Sequence, residues 1–281
     1  MGGLGDCLLV LPLIESVRAA WPDSVIHYRA PQRYLRVLAM SRGRPVCLPA
    51  EAMSHLLFSP DPPSENLAPF RGYERIYSFH GDAQFVSNVG SASPTRYRDP
   101  RPGRYVVDHL AEVLEADGIG IVTRTPVVEI DETPKDTTAV YFHPGGGTGR
   151  KRWPLHNYAP LLAALQSRFP EIRTVLLLGE AEADIPEEIG SCFDQVLESP
   201  PLESLPALLA GRPYLGMDSG ITHLAAASGA TVLALFGPTD PLIWAQPRPN
   251  YTFLAASDLS SLDIRDVLAR MSSLIHHGTT S

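Results

Sequence analysis

Residues 214–236 have the sequence YLGMDSGITHLAAASGATVLALF, in which two short apolar runs flank an alanine-rich segment of helical pattern. The runs at 214–217 and 231–236 have the length and composition of buried strands. A strand, a helix and a second strand in this order predict a parallel sheet with a crossover helix. The stretch therefore indicates an α/β fold.

The same alternation occurs on both sides of this stretch. Helical spacing after an N-terminal glycine loop relates Leu9, Leu13, Val17 and Ala20. We predict further strands at 25–28, 75–79, 139–142 and 174–178, and helices at 32–40, 105–116, 157–168, 202–209, 222–227 and 264–275. Gly211 and Gly229 follow two of these helices, where we expect a left-handed conformation.

The alternation divides into two halves. Between them, residues 129–138 form a polar stretch that contains a proline, and we predict that it is the interdomain linker. The predicted domains are therefore 1–133 and 134–281, each of Rossmann-like type.

Composition excludes several classes of protein. The chain has 281 residues, enough for two domains, and 44% of them are hydrophobic, which excludes wholesale disorder. The formal net charge of -8, from 23 basic and 31 acidic residues, argues against nucleic acid as a partner. Three cysteines without CxxC spacing suggest neither a disulfide framework nor a zinc site. No apolar run approaches the ~18 residues of a membrane helix, so we expect a soluble, cytoplasmic protein.

The first candidate site is the loop GGLGD at residues 2–6. Gly2, Gly3 and Gly5 lack side chains, so a ligand can approach backbone amides at a helix start, with Asp6 directly after them. A tight turn in which Asp6 only caps the helix explains the same residues equally well. The residues alone leave both interpretations open.

The second candidate is residues 143–154, HPGGGTGRKRWP, in which glycines precede three cations. The Walker pattern fails here, because Arg150 and Arg152 stand where that pattern has a glycine and a hydroxyl residue around its lysine. Backbone amides together with Lys151 would neutralise a diphosphate, which is the interpretation that we favour. A flexible loop with solvated charges is the alternative.

Two further candidates follow predicted strands, at the edge where open α/β sheets bind ligands. Ser219 and Thr222 would donate hydroxyl groups to a phosphate at a helix start, where free amides add their dipoles. Helix capping alone explains such residues, including Asp218, and a lone His223 is more often structural. The segment FGPTDP at 236–241 is by itself only a turn after a buried strand.

Taken together, these segments identify a protein family far more specifically than any one of them does alone. The chain resembles the heptosyltransferases of glycosyltransferase family 9 in GGLGDCLLVLPLI at 2–14, HPGGGTGRKRWPLHNYAPLL at 143–162 and MDSGITHLAAASGATVLALFGPTDP at 217–241. The resemblance implies GT-B architecture, with two Rossmann-like domains whose parallel sheets face a central cleft. It also implies inverting transfer of a heptose from ADP-heptose to a lipopolysaccharide inner-core acceptor, without a metal or other cofactor.

The resemblance assigns roles to particular residues. Asp6 matches the base that deprotonates the acceptor hydroxyl, and Lys151 matches the lysine that holds the donor's phosphates, with Thr148 in the contacting stretch before it. The family motif around the donor's sugar and diphosphate is matched by Asp218, Ser219, Gly220, Thr222 and His223. An acid that contacts the ribose is matched equally by Glu180 and Glu182.

The chain departs from the family pattern at its start. The family carries an apolar strand before the glycine loop, whereas Met1 directly precedes that loop here. We therefore expect the first strand of the N-terminal domain to be missing from this sequence, through a start codon placed too late or a truncation.

Two other functions stay open. A degenerate GT-B protein would bind a nucleotide or a glycan without turnover, and a glycosyltransferase of the same fold would use another nucleotide sugar. The partners that the resemblance implies are a nucleotide-sugar donor and a lipopolysaccharide-type acceptor. Through that acceptor the protein would make peripheral contact with the inner membrane.

Overall fold

The computed structural model describes residues 2–50, 55–79, 82–90, 101–130, 138–146, 151–182 and 184–278. The chain divides into two compact units, Met1–Pro126 and Val127–Ser281. The domain boundary predicted between residues 133 and 134, and most of the predicted linker, lie outside the described residues.

The first unit contains a short parallel sheet. Strand β1 (His27–Ala30) pairs with β2 (Val46–Pro49), and His27 lies opposite Val46. The predicted helices at 32–40 and 105–116 are confirmed, the first as a 3-10 turn that continues into an α-helix. The helices of this unit are α1 (Leu4–Leu8), α2 (Leu11–Ala20), α3 (Leu35–Ala39), α4 (Ser64–Leu67), α5 (Ala83–Val89) and α6 (Val106–Ala116), with 3-10 turns at Gln32–Tyr34, His55–Phe58 and Ala68–Phe70.

The strand predicted at 75–79 does not form. Within that segment Ser78 alone makes an isolated bridge. Arg75 Nε and the Tyr77 hydroxyl instead donate to the Asp117 carboxylate at 3.1 and 2.7 Å. The alternating polar residues Arg75 and Tyr77 thus contact Asp117, which directly follows α6, and do not form part of a strand.

The second unit contains a six-stranded parallel sheet. The predicted strands at 139–142, 174–178, 214–217 and 231–236 are confirmed to within one residue at each end. The strands are β3 (Ala139–His143), β4 (Arg173–Leu178), β5 (Gln195–Glu198), β6 (Pro213–Met217), β7 (Thr231–Phe236) and β8 (Tyr251–Ala255). The helices are α7 (Tyr158–Arg168), α8 (Glu187–Gly190), α9 (Leu205–Leu209), α10 (Gly220–Ala227), α11 (Pro241–Trp244) and α12 (Ile264–Gly278), with 3-10 turns at Leu155–Asn157, Glu180–Glu182, Leu202–Ser204 and Leu259–Ser261.

The order of the strands across this sheet is β5-β4-β3-β6-β7-β8, and every pairing is parallel. From β3 the chain moves outward through β4 to β5. It then returns to the other side of β3 as β6 and moves outward through β7 to β8. The direction therefore reverses between β3 and β6, and open α/β sheets bind ligands at such a switch point.

The core of the second unit lies against the central strands. Every residue of β3 and β6 is buried, which explains their nearly continuous apolar sequences. Helix α12 contributes one apolar stripe to the core, formed by Val267, Met271 and Ile275. Gly211 and Gly229 have φ angles of 70° and 86°, so the predicted left-handed conformation at both helix ends is confirmed.

Candidate functional site

The candidate site lies at the edge of the six-stranded sheet where β3, β4, β6 and β7 end. Lys151 follows β3 and Asp218 follows β6, and Lys151 Nζ lies 2.7 Å from Asp218 Oδ2. Because β3 and β6 are the neighbours on either side of the switch point, this ion pair spans it. The Asp218 side chain is 8% exposed and that of Lys151 is 26% exposed, so the ammonium group is the more accessible of the two charges.

Two further groups approach Asp218. Thr239 Oγ1, from the segment after β7, donates to the same Oδ2 at 2.7 Å. On α10, His223 Nε2 lies 4.0 Å from Asp218 Oδ1. The FGPTDP segment, which the sequence presents only as a turn, therefore contributes a direct contact to the site.

Helix α10 begins at the site with Ser219 as its cap. Ser219 Oγ accepts a hydrogen bond from the Thr222 N–H at 3.3 Å. Ser219 and Gly220 are half-buried, so the first turn of α10 reaches the surface beside Asp218. The amides of that turn and the helix dipole favour an anion at this place.

The hydroxyl group of Thr222 is used inside the fold. Its side chain is fully buried, and its Oγ1 donates to the Met217 carbonyl at 2.5 Å and lies 3.1 Å from the Tyr214 hydroxyl. A carbonyl can only accept, so the one hydroxyl proton of Thr222 is used within the fold. A role of Thr222 in binding a phosphate stays a prediction. The side chain fastens the start of α10 to the end of β6.

The two candidate acids after β4 have different surroundings. Glu180 is exposed, whereas Glu182 is 5% exposed and its Oε2 lies 3.6 Å from His143 Nε2 at the end of β3. The Gly179 N–H also donates to this Oε2, at 3.0 Å. The neighbouring His143 ring, helped by this amide, holds the pKa of the Glu182 carboxyl below its ordinary value. Glu182 thus joins the ends of β3 and β4, and Glu180 is the acid that faces solvent.

Gly145 allows the loop after β3 to pack on this buried pair. A Cβ at position 145 would lie 2.0 Å from Glu182 Oε1 and 2.7 Å from His143 Cε1. At Gly146 a Cβ would lie 2.6 Å from the Lys151 carbonyl oxygen. Close approach therefore requires glycine at both positions, and Gly146 packs against the main chain of Lys151.

We expect Gly145→Ala to lower the free energy of unfolding by ~1–3 kcal/mol, because the new methyl group forces Glu182 and His143 apart. Chemical denaturation measures this change. The control is Gly120→Ala, where a Cβ would meet nothing within 4 Å. The packing argument is wrong if both variants unfold at the same denaturant concentration as the parent protein.

The residues after Lys151 are fixed to other parts of the second unit. Arg152 donates to the Asp184 carboxylate at 2.6 Å and to the Ala181 carbonyl at 3.0 Å. Trp153 is fully buried, and its main-chain N–H lies 3.3 Å from Met217 Sδ. Adjacent cations thus point to different partners, and Lys151 is the one directed to Asp218.

The remaining predicted residues are Thr148 and those of the N-terminal glycine loop. Thr148 is outside the described residues. Asp6 belongs to the first unit, in the first turn of α1, and its Oδ2 accepts a hydrogen bond from the Gly3 N–H at 2.7 Å. A Cβ at Gly2 would lie 2.6 Å from Asp6 Cβ, and Gly5 lies within α1. The hydrogen bond from the Gly3 N–H to Asp6 agrees with the capping interpretation, because Gly3 is the N-cap and Asp6 the N3 residue of α1. The role of Asp6 as a base stays a prediction.

Three residues make contacts around the site that the sequence does not predict. Thr239 lies in the FGPTDP segment, which by itself is only a turn after a buried strand. His143 ends a buried strand, which is a usable signal for a functional position. Gln246 is 2% exposed and donates through Nε2 to the His223 carbonyl at 3.1 Å, but its local sequence gives no indication of that contact.

The part of the chain that the structure describes lacks the features of two other kinds of protein. None of its helices is both long and apolar enough to cross a bilayer. No group of three His, Cys, Asp or Glu side chains within it is arranged to hold a metal ion. The expectation of metal-independent chemistry stays a prediction.

Several solved structures have the same fold. The family 9 glycosyltransferase from Veillonella parvula DSM 2008 is 17% identical, with 99% of this chain and 95% of that chain covered and a TM-score of 0.80. E. coli ADP-heptose lps heptosyltransferase II is 18% identical, with coverages of 99% and 97% and a TM-score of 0.75. E. coli heptosyltransferase WaaC with ADP is 19% identical, with coverages of 98% for both chains and a TM-score of 0.76. These likenesses confirm the predicted α/β fold of GT-B type with parallel sheets.

The fold and the family comparison together define a glycosyltransferase. The model of glycosyltransferase family 9 (heptosyltransferase) matches residues 109–268, which is more than half of the chain. The chain belongs to glycosyltransferase family 9, and the predicted resemblance is confirmed. No curated protein sequence matches it.

Proposed function

We propose that this glycosyltransferase moves a heptose from ADP-heptose to a lipopolysaccharide inner-core acceptor, with inversion and without a metal ion. The observation that carries the proposal is the Lys151–Asp218 pair beside the start of α10, at the switch point of the sheet. The choice of donor is supported by the matched E. coli WaaC structures, which are described with ADP and with ADP-2-deoxy-2-fluoro heptose. The proposed acceptor implies a cytoplasmic enzyme that meets the inner membrane peripherally.

In the proposed reaction the acceptor oxygen forms a bond to the anomeric carbon while the bond from that carbon to the diphosphate oxygen breaks. The bonding electron pair leaves with ADP, so negative charge grows on the diphosphate. Lys151 and the first-turn amides of α10 would stabilise this charge more in the transition state than in the ground state. Asp6 would take the proton of the acceptor hydroxyl during the attack.

Calorimetric titration with ADP, UDP and GDP, followed by a transfer assay, tests the proposal. The assay supplies ADP-heptose and a lipopolysaccharide acceptor whose inner core lacks heptose. We expect ADP to bind more tightly than the other two nucleotides, and one ADP to be released for each heptose transferred. Binding of ADP without transfer would favour the non-catalytic GT-B protein. Preferred binding of UDP or GDP would favour a different sugar donor.

The two acids after β4 give a prediction of their own. Glu180, which faces solvent, is the better placed to accept hydrogen bonds from the ribose hydroxyls of the donor. We expect Glu180→Gln to weaken ADP binding by ~1–2 kcal/mol, about 5- to 30-fold, because hydrogen bonds to a charged acceptor are stronger.

Glu182→Gln is the matched variant. It removes the charge beside His143 but touches only the interior, so we expect a lower melting temperature and little change in ADP affinity. Calorimetry and thermal denaturation of both variants decide the assignment. If Glu182→Gln alone weakens ADP binding at an unchanged melting temperature, the ribose contact belongs to Glu182.

A further inference from the structure

The amide of Gln246 has a defined orientation. Gln246 follows α11 and is 2% exposed, and its Nε2 lies 3.1 Å from the main-chain carbonyl oxygen of His223. A carbonyl oxygen can only accept a hydrogen bond, so the NH2 group of the amide must face His223.

This orientation decides which ring nitrogen of His223 carries the proton. The same NH2 group lies 3.4 Å from His223 Nδ1. Nδ1 must then be the acceptor, because two N–H groups would otherwise face each other in a buried place. The proton of the neutral ring is therefore on Nε2, which lies 4.0 Å from Asp218 Oδ1.

We propose that Gln246 is a positioning residue of the donor site, which keeps the Nε2–H of His223 directed at Asp218. The proposal rests on the proposed function, because it concerns how this site receives a diphosphate. Asp218 is a buried anion close to the place where a second anion would bind, and like charges repel. Lys151, Thr239 and His223 surround it with donors and reduce that repulsion. In the opposite tautomer a lone pair of His223 would face the carboxylate instead.

A second observation separates this role from a purely structural one. Gln246 Oε1 is buried and has no hydrogen-bond partner among the described residues. Leaving a buried polar atom unsatisfied lowers stability, whereas an apolar side chain of similar size would avoid that loss. The amide at this position is therefore better explained by what its NH2 group does to His223.

A double-mutant cycle with Gln246→Leu and His223→Ala tests the proposal through kcat. We expect Gln246→Leu to lower kcat on the order of tenfold, as is common when a side chain that orients an active-site group is removed. In the His223→Ala background, Gln246→Leu should have almost no further effect on kcat, because the ring is no longer present. The bond to the main-chain carbonyl of residue 223 survives in that background, so a structural role would lower kcat equally in both. Equal losses would overturn the proposal.

Asn250→Leu is the control for general destabilisation. Asn250 Nδ2 donates to the Ala230 carbonyl at 2.6 Å, and Asn250 lies on the same segment between β7 and β8. This variant removes an amide-to-carbonyl bond without touching His223. We expect it to lower the melting temperature and to leave kcat at the parental level. A loss of kcat as large as that of Gln246→Leu would contradict a specific role for Gln246.

Nuclear magnetic resonance gives a readout that does not depend on transfer. Two-bond ¹H–¹⁵N spectra of the labelled protein report the protonation of each ring nitrogen, and the His223→Ala spectrum identifies the signals of His223. We expect a proton on Nε2 in the parent and loss of this fixed preference in Gln246→Leu, because the variant removes the donor that faces Nδ1. A protonated Nδ1 in the parent, or an unchanged ring in Gln246→Leu, would overturn the proposal. Failure of ADP to bind the parent would instead reject the proposed function.

Discussion

An Asp6→Asn variant should lose sugar transfer while it retains its affinity for ADP. A carboxylate can accept the proton of the acceptor hydroxyl, whereas an amide cannot, and removal of a general base typically lowers kcat by ~10²- to 10⁴-fold. We expect the substitution to leave the stability of the fold nearly unchanged. The Gly3 N–H donates to Asp6 Oδ2, and the amide oxygen of Asn can accept the same bond at the start of α1.

Three measurements separate the base from the cap. Transfer at saturating donor concentration measures kcat, and calorimetry measures ADP affinity. Thermal denaturation measures the stability of the fold, which falls if the hydrogen bond at the start of α1 is lost. If Asp6 acts only as the N3 residue that accepts the Gly3 N–H, the amide oxygen of Asn keeps that bond, so activity and stability should both survive. An Asp6→Asn protein that transfers sugar at nearly the parental rate would remove Asp6 from the mechanism.

A Lys151→Ala variant should lose ~1.5–3 kcal/mol of ADP binding free energy, which is about 10- to 150-fold in affinity. The lost ammonium group is one source of this change. The other is the Asp218 carboxyl group, which is 8% exposed and would lose its cationic partner beside the incoming diphosphate. Calorimetry on folded protein measures the effect.

Arg152→Ala is the matched control for Lys151→Ala. The two cations are adjacent in sequence, but the Arg152 guanidinium binds Asp184 and the Ala181 carbonyl. Its removal should change ADP affinity little, although it deletes the same charge from the same segment. If both variants weaken ADP equally, the effect is one of overall charge and not of a lysine aimed at the diphosphate.

The sequence predicts the central strands of the second unit and misses the outer ones for one physical reason. Strands β3, β6 and β7 are buried, so their residues form apolar runs that stand out from their surroundings. Strands β5 and β8 lie at the two edges of the sheet and are partly exposed, so their sequences QVLE and YTFLA mix polar and apolar residues.

The candidate site, too, could be predicted from the sequence only in part. Lys151 and Asp218 stand out because each follows an apolar strand, yet their contact joins positions 67 residues apart and depends on the order of the strands. Thr222 has the residue type of a phosphate ligand, but helical geometry turns its hydroxyl into the interior, onto Met217. Gln246 acts on His223 through tertiary packing that no local pattern encodes. Residue type and local position are therefore readable from the sequence, and side-chain direction is not.

Because the strand order reverses between β3 and β6, the site forms only when both halves of the six-stranded sheet have folded and paired. The triplets β3-β4-β5 and β6-β7-β8 each pair strands that are consecutive in the chain, so each can assemble through relatively local contacts. The pairing of β3 with β6 joins the two triplets. Lys151, which follows β3, contacts Asp218, which follows β6. A ligand that bridges these two residues binds only after the triplets have closed on each other. Its binding free energy is therefore added to the stability of the whole sheet and not to either half.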